Sequence, residues 1–209
     1  MNNQKGRGKI FAIISVLLMI TILVGLYLLN PQESIKDTTV VKPTPSPMAF
    51  PTDNWGTLTN LGYTIKHPQD TKAEARDGET LILFVGQKQV ASGRTQTELF
   101  DGYMVRIGEV VNDSKLSLEQ ISKSERDNAE NNCQVREDGK VTPLTAISID
   151  GRPGYQYSAE GCYVDYTETI VSFKDKIYRI SQSYIGDATD QPKYKEITNQ
   201  ILSTLNFGD

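Results

Sequence analysis

The chain of 209 residues carries 22 basic and 26 acidic side chains, a net charge of −4, with one histidine and two cysteines. This acidic balance argues against nucleic-acid binding, which calls for a basic patch. A single histidine also excludes any metal site built from several histidine ligands.

The first predicted element is a membrane-spanning helix at residues 10–29, a run of 20 residues without a charge. At about 1.5 Å per residue, a helix of this length crosses the core of a bilayer. Lys5, Arg7 and Lys9 precede the run, and positive flanks stay in the cytoplasm. We therefore expect a single-pass cell-membrane protein, with residues 1–9 in the cytoplasm and the rest of the chain outside.

A removed signal peptide is the alternative to this anchor. Signal peptides are usually shorter in their apolar part and end in a small-x-small cleavage site, which residues 26–30 do not offer. A lipoprotein would need a cysteine directly after the apolar run, but the first cysteine is Cys133. An uncleaved anchor is the favoured interpretation.

Residues 30–54 read as a linker because five prolines are spread among serine, threonine and charged residues. Proline fixes φ and removes a backbone donor, so an extended spacer is expected. The proline-rich run at 43–47 also fits a recognition motif or a glycosylated stalk. Residues 55–209 then form one domain. Residues 1–54 contain five of the 22 basic and three of the 26 acidic residues, which leaves 17 basic and 23 acidic residues in the domain.

The domain is predicted to be α+β, with strands marked by alternating apolar residues and by β-branched or aromatic side chains. The candidate strands are residues 63–66, 80–85, 103–110, 145–149, 155–158, 163–173 and 176–184. Lys174 and Asp175 leave room only for an antiparallel hairpin, and Asp150-Gly151 is a second hairpin signal. The sheet should be mainly antiparallel.

Two helices are expected beside this sheet. The first opens at Ser117, with Gln120 as its reciprocal capping partner, and runs to about residue 131 with Leu118 and Ile121 buried. The second begins near Asp190 and has one apolar stripe along its length. That stripe consists of Tyr194, Ile197, Ile201, Leu202 and Leu205.

Three segments of this domain resemble the PsbP-like family: residues 62–68 (GYTIKHP), the turn at 149–151 (IDG) and the closing run at 199–207 (NQILSTLNF). The resemblance covers residues 55–207 and implies an α/β/α sandwich, an antiparallel sheet flanked by helices. Family members with known roles are assembly or interaction subunits, such as the extrinsic subunit of the photosynthetic water-oxidising complex, and not enzymes. His67 departs from the family, in which an aromatic residue commonly precedes the proline.

Catalytic and cofactor signals are weak, so we expect no enzyme and no cofactor. His67 alone would have to serve any serine or cysteine triad. The carboxylate pairs Asp187 with Asp190 and Glu137 with Asp138 could hold Ca²⁺ or move protons, but such loop pairs are common and helix capping accounts for Asp190. The glycines do not form a phosphate-binding loop.

The favoured function is a membrane-tethered binding or scaffolding module that contacts an envelope protein or a small ligand. The alternative is a carrier that holds a lipid or small molecule between the sheet and its helices. Six tyrosines crowd the second half of the predicted sheet, which fits either an interface or ordinary strand composition. They are Tyr155, Tyr157, Tyr163, Tyr166, Tyr178 and Tyr184.

A disulfide between Cys133 and Cys162 is expected because both cysteines lie in the exported domain and no others are present to pair with them. Two separate buried thiols are the alternative. A bridge requires the two Cα atoms to lie within about 7 Å of each other.

Overall fold

The structure, a computed structural model, describes residues 51–94, 98–133, 138–162 and 164–208. The predicted cytoplasmic segment at 1–9, the anchor at 10–29 and most of the linker at 30–54 lie outside these ranges. Within them, no helix combines the length and the apolar character needed to cross a membrane.

The described ranges contain eleven strands and three helices. The strands are β1 (Gly56–Asn60), β2 (Tyr63–His67), β3 (Lys72–Arg76), β4 (Glu79–Val85), β5 (Gly102–Glu109), β6 (Lys140–Val141), β7 (Thr145–Ile149), β8 (Arg152–Glu160), β9 (Asp165–Phe173), β10 (Lys176–Ile185) and β11 (Asn206–Phe207). The helices are α1 (Gln87–Ala91), α2 (Leu118–Cys133) and α3 (Asp190–Ser203). The sequence does not predict α1 or the strands β1, β3, β6 and β11.

The strands form two sheets with antiparallel pairing throughout the described residues. The larger sheet has the order β3-β4-β5-β10-β9-β8-β6, and β7 also pairs with β8. The smaller sheet has the order β1-β2-β11. The predicted α+β class with a mainly antiparallel sheet is therefore confirmed, but the expectation of one sheet is wrong.

Two-residue turns set the register of four hairpins. Both predicted turns are present, since Ile149 pairs with Arg152 and Phe173 pairs with Lys176. Asp150-Gly151 and Lys174-Asp175 have positive φ at both positions. Turns of this kind match the twist of the flanking strands. The same geometry joins β1 to β2 and β3 to β4.

The helices α2 and α3 pack on opposite faces of the large sheet. Neighbouring residues of a strand point to opposite faces, and the adjacent pair Ile170 and Val171 belongs to two different apolar clusters. Ile170 packs with Ile121 of α2, whereas Val171 is in the cluster that contains Ile201 of α3. The layers are helix, sheet and helix.

The three segments that resemble the PsbP-like family meet at one place in the fold. Strand β11 pairs with β2, so that Phe207 lies opposite Tyr63. The Phe207 backbone N–H donates to the carboxylate of Asp150, 2.9 Å away, which lies in the β7–β8 turn. The Tyr63 and Phe207 rings are in edge contact at 5.9 Å. These segments close the small sheet onto the core.

The capping box and the disulfide hold the two ends of α2. The Ser117 N–H donates to Gln120 Oε1 at 2.9 Å, and the Gln120 N–H donates to Ser117 Oγ at 3.2 Å, as predicted. Cys133 at the end of α2 forms a disulfide with Cys162, and their Cα atoms are 5.1 Å apart. Two separate thiols, the alternative interpretation, are therefore ruled out.

Candidate functional site

His67, the candidate for any nucleophile–base pair, lies at the end of β2 and is half-buried. Its Nδ1 is 2.9 Å from Thr71 Oγ1 and 3.0 Å from the Pro68 carbonyl oxygen. The Thr71 hydroxyl also donates to that carbonyl, at 2.6 Å. The imidazole therefore lies within the turn that leads from β2 to β3.

Asp187 and Asp190, the predicted carboxylate pair, both bind the ammonium group of Lys88. Asp187 Oδ1 also accepts from the backbone N–H groups of Thr189 and Asp190. The expectation that Asp190 caps the helix is therefore wrong, because Asp190 is the first residue of α3 and Thr189 occupies the cap position. The Lys88 ammonium and these two N–H groups lower the pKa of Asp187 to about 2. The pKa of Lys88 is raised, chiefly by its hydrogen bond to Asp187 and then by its hydrogen bond to Asp190.

Among the described residues, the pair Asp187 and Asp190 gathers no further metal ligands. Glu137, half of the second predicted pair, lies outside the described residues, and Asp138 is exposed. No group of three or more histidine, cysteine, aspartate or glutamate side chains is placed to hold a metal within the described ranges.

The predicted tyrosine cluster is divided between the two faces of the sheet. Tyr157 and Tyr166 lie on the α2 side, with ring centroids 6.4 Å apart. Tyr178 and Tyr184 belong to the cluster on the α3 side. Tyr155 lies in line with Tyr157, while Tyr163 is outside the described residues. These tyrosines do not form one surface.

A cavity of about 210 Å³ lies between helix α3 and the place where β4 ends and β5 begins. Four aromatic side chains line it. Phe84 of β4 and Tyr103 of β5 are stacked at 5.1 Å, with 18° between their planes. Tyr194 of α3 is tilted against both, at 5.8 and 5.9 Å. Trp55 lines the same cavity, as does Ile197. We call this space the aromatic cavity.

Tyr103 is part of the wall of this cavity. The residue is 1 % exposed, and its hydroxyl makes no hydrogen bond with any residue that the structure describes. Burial, and then the negative charge of Asp70 on the same cavity, raise the pKa of Tyr103. Its hydroxyl stays protonated near neutral pH and can donate a hydrogen bond.

Tyr194 is held in place by a buried carboxylate. Its hydroxyl donates to Asp101 Oδ1 at 2.9 Å, and Asp101 is 2 % exposed. Asp101 Oδ2 accepts from the backbone N–H of Lys88 at 2.9 Å, which places the first turn of α1. Burial, followed by the hydrogen bond to Asp101, raises the pKa of Tyr194. The phenol of Tyr194 is thus already satisfied, unlike that of Tyr103.

Two glycines allow the backbone to close around this carboxylate. A Cβ at Gly86 would lie 2.2 Å from the Asp101 side chain, so a larger residue there would displace the carboxylate. Gly102 has a φ of +139°, and a Cβ there would lie 2.1 Å from the Phe84 carbonyl oxygen. Both positions therefore require glycine for the cavity wall to form.

The mouth of the aromatic cavity carries two opposite charges. Asp70, from the turn after β2, and Lys193, from the first turn of α3, both line it and are both exposed. Neither forms an ion pair or hydrogen bond with any residue of the described ranges. By contrast, Lys88, Lys176 and Lys195 all pair with carboxylates. The charges of Asp70 and Lys193 are available to a ligand.

No sequence pattern predicts the aromatic cavity. Trp55 is the only tryptophan of the chain and lies at the start of the domain. Phe84 and Tyr103 fit the apolar alternation of their strands, and Tyr194 fits the apolar spacing of its helix. These patterns predict only that each side chain lies in a core. No local pattern indicates that these side chains, far apart in sequence, face one another.

No family model matches the chain, and no curated protein matches it either. Solved structures similar to it include the solution structure of cyanobacterial PsbP (CyanoP) from Synechocystis sp. PCC 6803. That match has 13 % identity and a TM-score of 0.47, and it covers 78 % of this chain and 97 % of that one.

Two bacterial proteins are also among the structural neighbours. The first is LpqN, which is involved in cell envelope biogenesis of Mycobacterium tuberculosis. It matches at 9 % identity with a TM-score of 0.48, and the match covers 74 % of this chain and 91 % of LpqN. The second is PA94 from Pseudomonas aeruginosa, described as a protein of unknown function and putative regulator. It matches at 10 % identity with a TM-score of 0.44, and the match covers 72 % of this chain and 94 % of PA94. The neighbours of this chain thus include PsbP and other proteins of related fold at low sequence identity, and likenesses of this degree identify no function.

Proposed function

We propose that this chain is a single-pass membrane protein whose domain outside the membrane is a binding module that holds a small ligand in the aromatic cavity. The observation that carries the proposal is the aromatic wall of this cavity, together with a Tyr103 hydroxyl that forms no hydrogen bond with any described residue. Small-molecule sites are mostly apolar clefts with a few polar groups that fix the ligand, and this hydroxyl can donate to such a ligand.

The composition of the cavity favours binding over catalysis. Its wall is aromatic and aliphatic, and its polar groups are one phenol, one carboxylate and one ammonium group from three different elements. No nucleophile with an adjacent base lies among these residues, and His67 is engaged with Thr71 and Pro68. This composition supports a binding role for the domain.

The tether and the family assignment belong to the same proposal. The uncharged run at 10–29 anchors the chain, and the proline-rich segment at 30–54 separates the domain from the membrane. The contact of residues 62–68, 149–151 and 199–207 around Phe207 supports placing the domain in the PsbP-like family. Such a domain would meet its ligand outside the membrane.

Mass spectrometry of the detergent-solubilised full chain tests the binding role. We expect the purified protein to release a small molecule on denaturation, and the Tyr103→Phe variant to release much less of it. Tyr157→Phe is the matched control because Tyr157 is a similarly buried tyrosine on the opposite face. Equal release from both variants, or none from the wild type, would contradict a ligand in this cavity.

A scaffolding role is the second candidate, and the loop before α2 favours it. Val111 is 80 % exposed and Leu116 is 41 % exposed, beside a cleft of about 340 Å³ that also contains Ile121. Exposed apolar groups around a cleft are typical of protein contact sites. If a partner protein binds there, Val111→Ser with Leu116→Ser should abolish its copurification, whereas Tyr103→Phe should not.

A further inference from the structure

The exposed apolar side chains of the domain are concentrated around one cleft. Within the described ranges, the large apolar side chains that are exposed are Val90 at 55 %, Val111 at 80 % and Leu116 at 41 %. Val111 and Leu116 both line the cleft of about 340 Å³ beside α2. Ile121 and Val110, which line it as well, belong to the apolar cluster between α2 and the sheet. We call this space the α2 cleft.

The loop that carries Val111 and Leu116 is fixed by hydrogen bonds. Asn112 Nδ2 donates to the Leu116 carbonyl oxygen at 2.9 Å, and Asn112 Oδ1 accepts from the Leu116 N–H at 2.9 Å. The Lys115 N–H also donates to the Asn112 carbonyl oxygen, at 3.1 Å, and the capping box of α2 follows directly. Because this backbone is already fixed, a partner does not have to order the loop, which lowers the entropic cost of association.

Packing inside the domain does not account for these two side chains. Val111 and Leu116 belong to neither of the two apolar clusters of the described residues. Exposed apolar groups that surround a cleft are typical of sites where another protein binds. The α2 cleft is therefore suited to receive an apolar side chain from outside the domain.

Carboxylates accompany the apolar side chains. Asp113 and Glu125 line the α2 cleft, and no basic side chain is among its lining residues. Glu125 shares the guanidinium group of Arg179 with Glu168, with an N···O distance of 3.5 Å to each carboxylate. The side chain of Asp113 forms no ion pair or hydrogen bond with any described residue. Lys115, on the same loop, is exposed but does not line the cleft.

This combination of groups argues against two other occupants. The surface of an anionic membrane attracts basic segments, so it would repel the carboxylates of the cleft. In a symmetric dimer the same surface patch faces its copy, and Asp113 and Glu125 of the two copies would then repel each other. A segment that carries an apolar group next to a positive charge is complementary to the cleft in both respects.

We propose that the α2 cleft is the docking site for a segment of another protein, which packs an apolar side chain against Val111 and Leu116 and places a lysine or arginine beside Asp113. This inference rests on the scaffolding role proposed above and specifies the chemistry of the partner. The apolar contacts supply affinity, and the carboxylates select against acidic segments.

Selection from a phage-displayed library of random peptides tests this inference. The target is the full chain in phosphatidylcholine nanodiscs, because detergent would compete for an apolar cleft. Empty nanodiscs, and nanodiscs that hold the Val111→Ser/Leu116→Ser double variant, remove the peptides that bind elsewhere. We expect the remaining peptides to combine an apolar residue with a lysine or arginine a few positions away and to be depleted in aspartate and glutamate.

Fluorescence polarisation of one selected peptide assigns the contacts. Val111→Ser and Leu116→Ser should each weaken its binding about tenfold, because each removes an apolar contact. Val90→Ser is the matched control, since Val90 is exposed on α1 and does not line the cleft. Asp113→Asn should weaken binding about threefold and reduce its salt dependence. Asp70→Asn, which removes an exposed carboxylate elsewhere, should do neither.

The outcomes separate this inference from the roles proposed above. If no peptide distinguishes the wild type from the double variant, the docking site is wrong. Selected peptides without an excess of lysine and arginine would overturn the chemistry of the partner, and the scaffolding role would stand if the double variant still loses a copurified protein. If Tyr103→Phe weakened peptide binding and the double variant did not, the peptide would bind at the aromatic cavity and the inference would be overturned.

Discussion

Glu168 is a carboxylic acid buried under α2, and it titrates near neutral pH. It is 6 % exposed, and its Oε1 accepts from the Ser181 hydroxyl at 2.9 Å and lies 3.5 Å from Arg179 Nε. Burial raises its pKa to about 7 and Glu125 adds to the rise, against the opposing effects of Ser181 and Arg179. The neighbouring phenols of Tyr157 and Tyr166 also have raised pKa values, chiefly from burial.

We predict that Glu168 makes the domain less stable as pH rises from about 4.5 to 7. In this window the unfolded chain releases the proton while the folded chain still holds it, so the free energy of unfolding decreases with pH. A shift from the ordinary 4.5 to about 7 corresponds to roughly 3 kcal/mol in total. Urea unfolding of residues 54–209 across this range should show the slope in the wild type and not in Glu168→Gln.

Glu109→Gln is the control for this experiment because Glu109 is exposed and pairs with Lys176 at the surface. That variant should keep the wild-type slope. If Glu168→Gln and the wild type lost stability in parallel between pH 5 and 7, another group would be responsible for the pH dependence.

At the scale of single elements, the disulfide matters most for α2. This helix is strongly polar, and its buried residues are only Ile121, Ser122, Ala129 and Cys133. Few apolar contacts therefore hold it to the sheet, in contrast to α3, whose stripe includes Tyr194 and Ile201. The bridge to Cys162 fixes the end of α2 beside the end of β8.

We predict that replacing both cysteines by alanine lowers the free energy of unfolding by roughly 3.5 kcal/mol, from the chain-entropy estimate for a loop of this length. The residues of α2 should lose hydrogen-exchange protection first, because that helix depends most on the bridge. Chemical reduction of the wild type should reproduce the variant. An unchanged midpoint after reduction would mean that packing alone holds α2.

At the scale of the whole molecule, the described domain contains its own core. The larger apolar cluster joins residues from Tyr63 of β2 to Phe207 of β11, with Trp55 packed against it. We predict that residues 54–209 fold alone into a soluble monomer with one cooperative thermal transition. Aggregation or a gradual transition under mild conditions would show that the anchor or a partner completes the fold.

The topology prediction concerns the whole chain in its membrane. From the basic residues before the uncharged run, we predict that the N-terminus lies inside and the domain outside. Protease added to intact cells should therefore remove residues 55–209 and leave a short fragment in the membrane. Protection of the domain until the membrane is broken would reverse the assignment.

Local chemistry was enough to predict several features of the domain. The Ser117–Gln120 box, the turns at 150–151 and 174–175, and the apolar stripe of α3 all depend on residues a few positions apart. The presence of only two cysteines allowed a single pairing to be predicted, and two separate thiols remained the alternative. The edge strand β3 (KAEAR) escaped prediction because an exposed edge carries charges and lacks an apolar alternation.

The sequence by itself thus determined the α+β class and the antiparallel hairpins, since each depends on short-range geometry or on composition, whereas the fold decided that Cys133 and Cys162 lie close enough to form a bridge. Only the tertiary structure decided that the strands form two sheets and that Trp55, Phe84, Tyr103 and Tyr194 surround one cavity. The physical reason is that burial favours these side chains equally in any core position. Which of them face one another depends on strand order and helix docking, and neither leaves a signature in neighbouring residues.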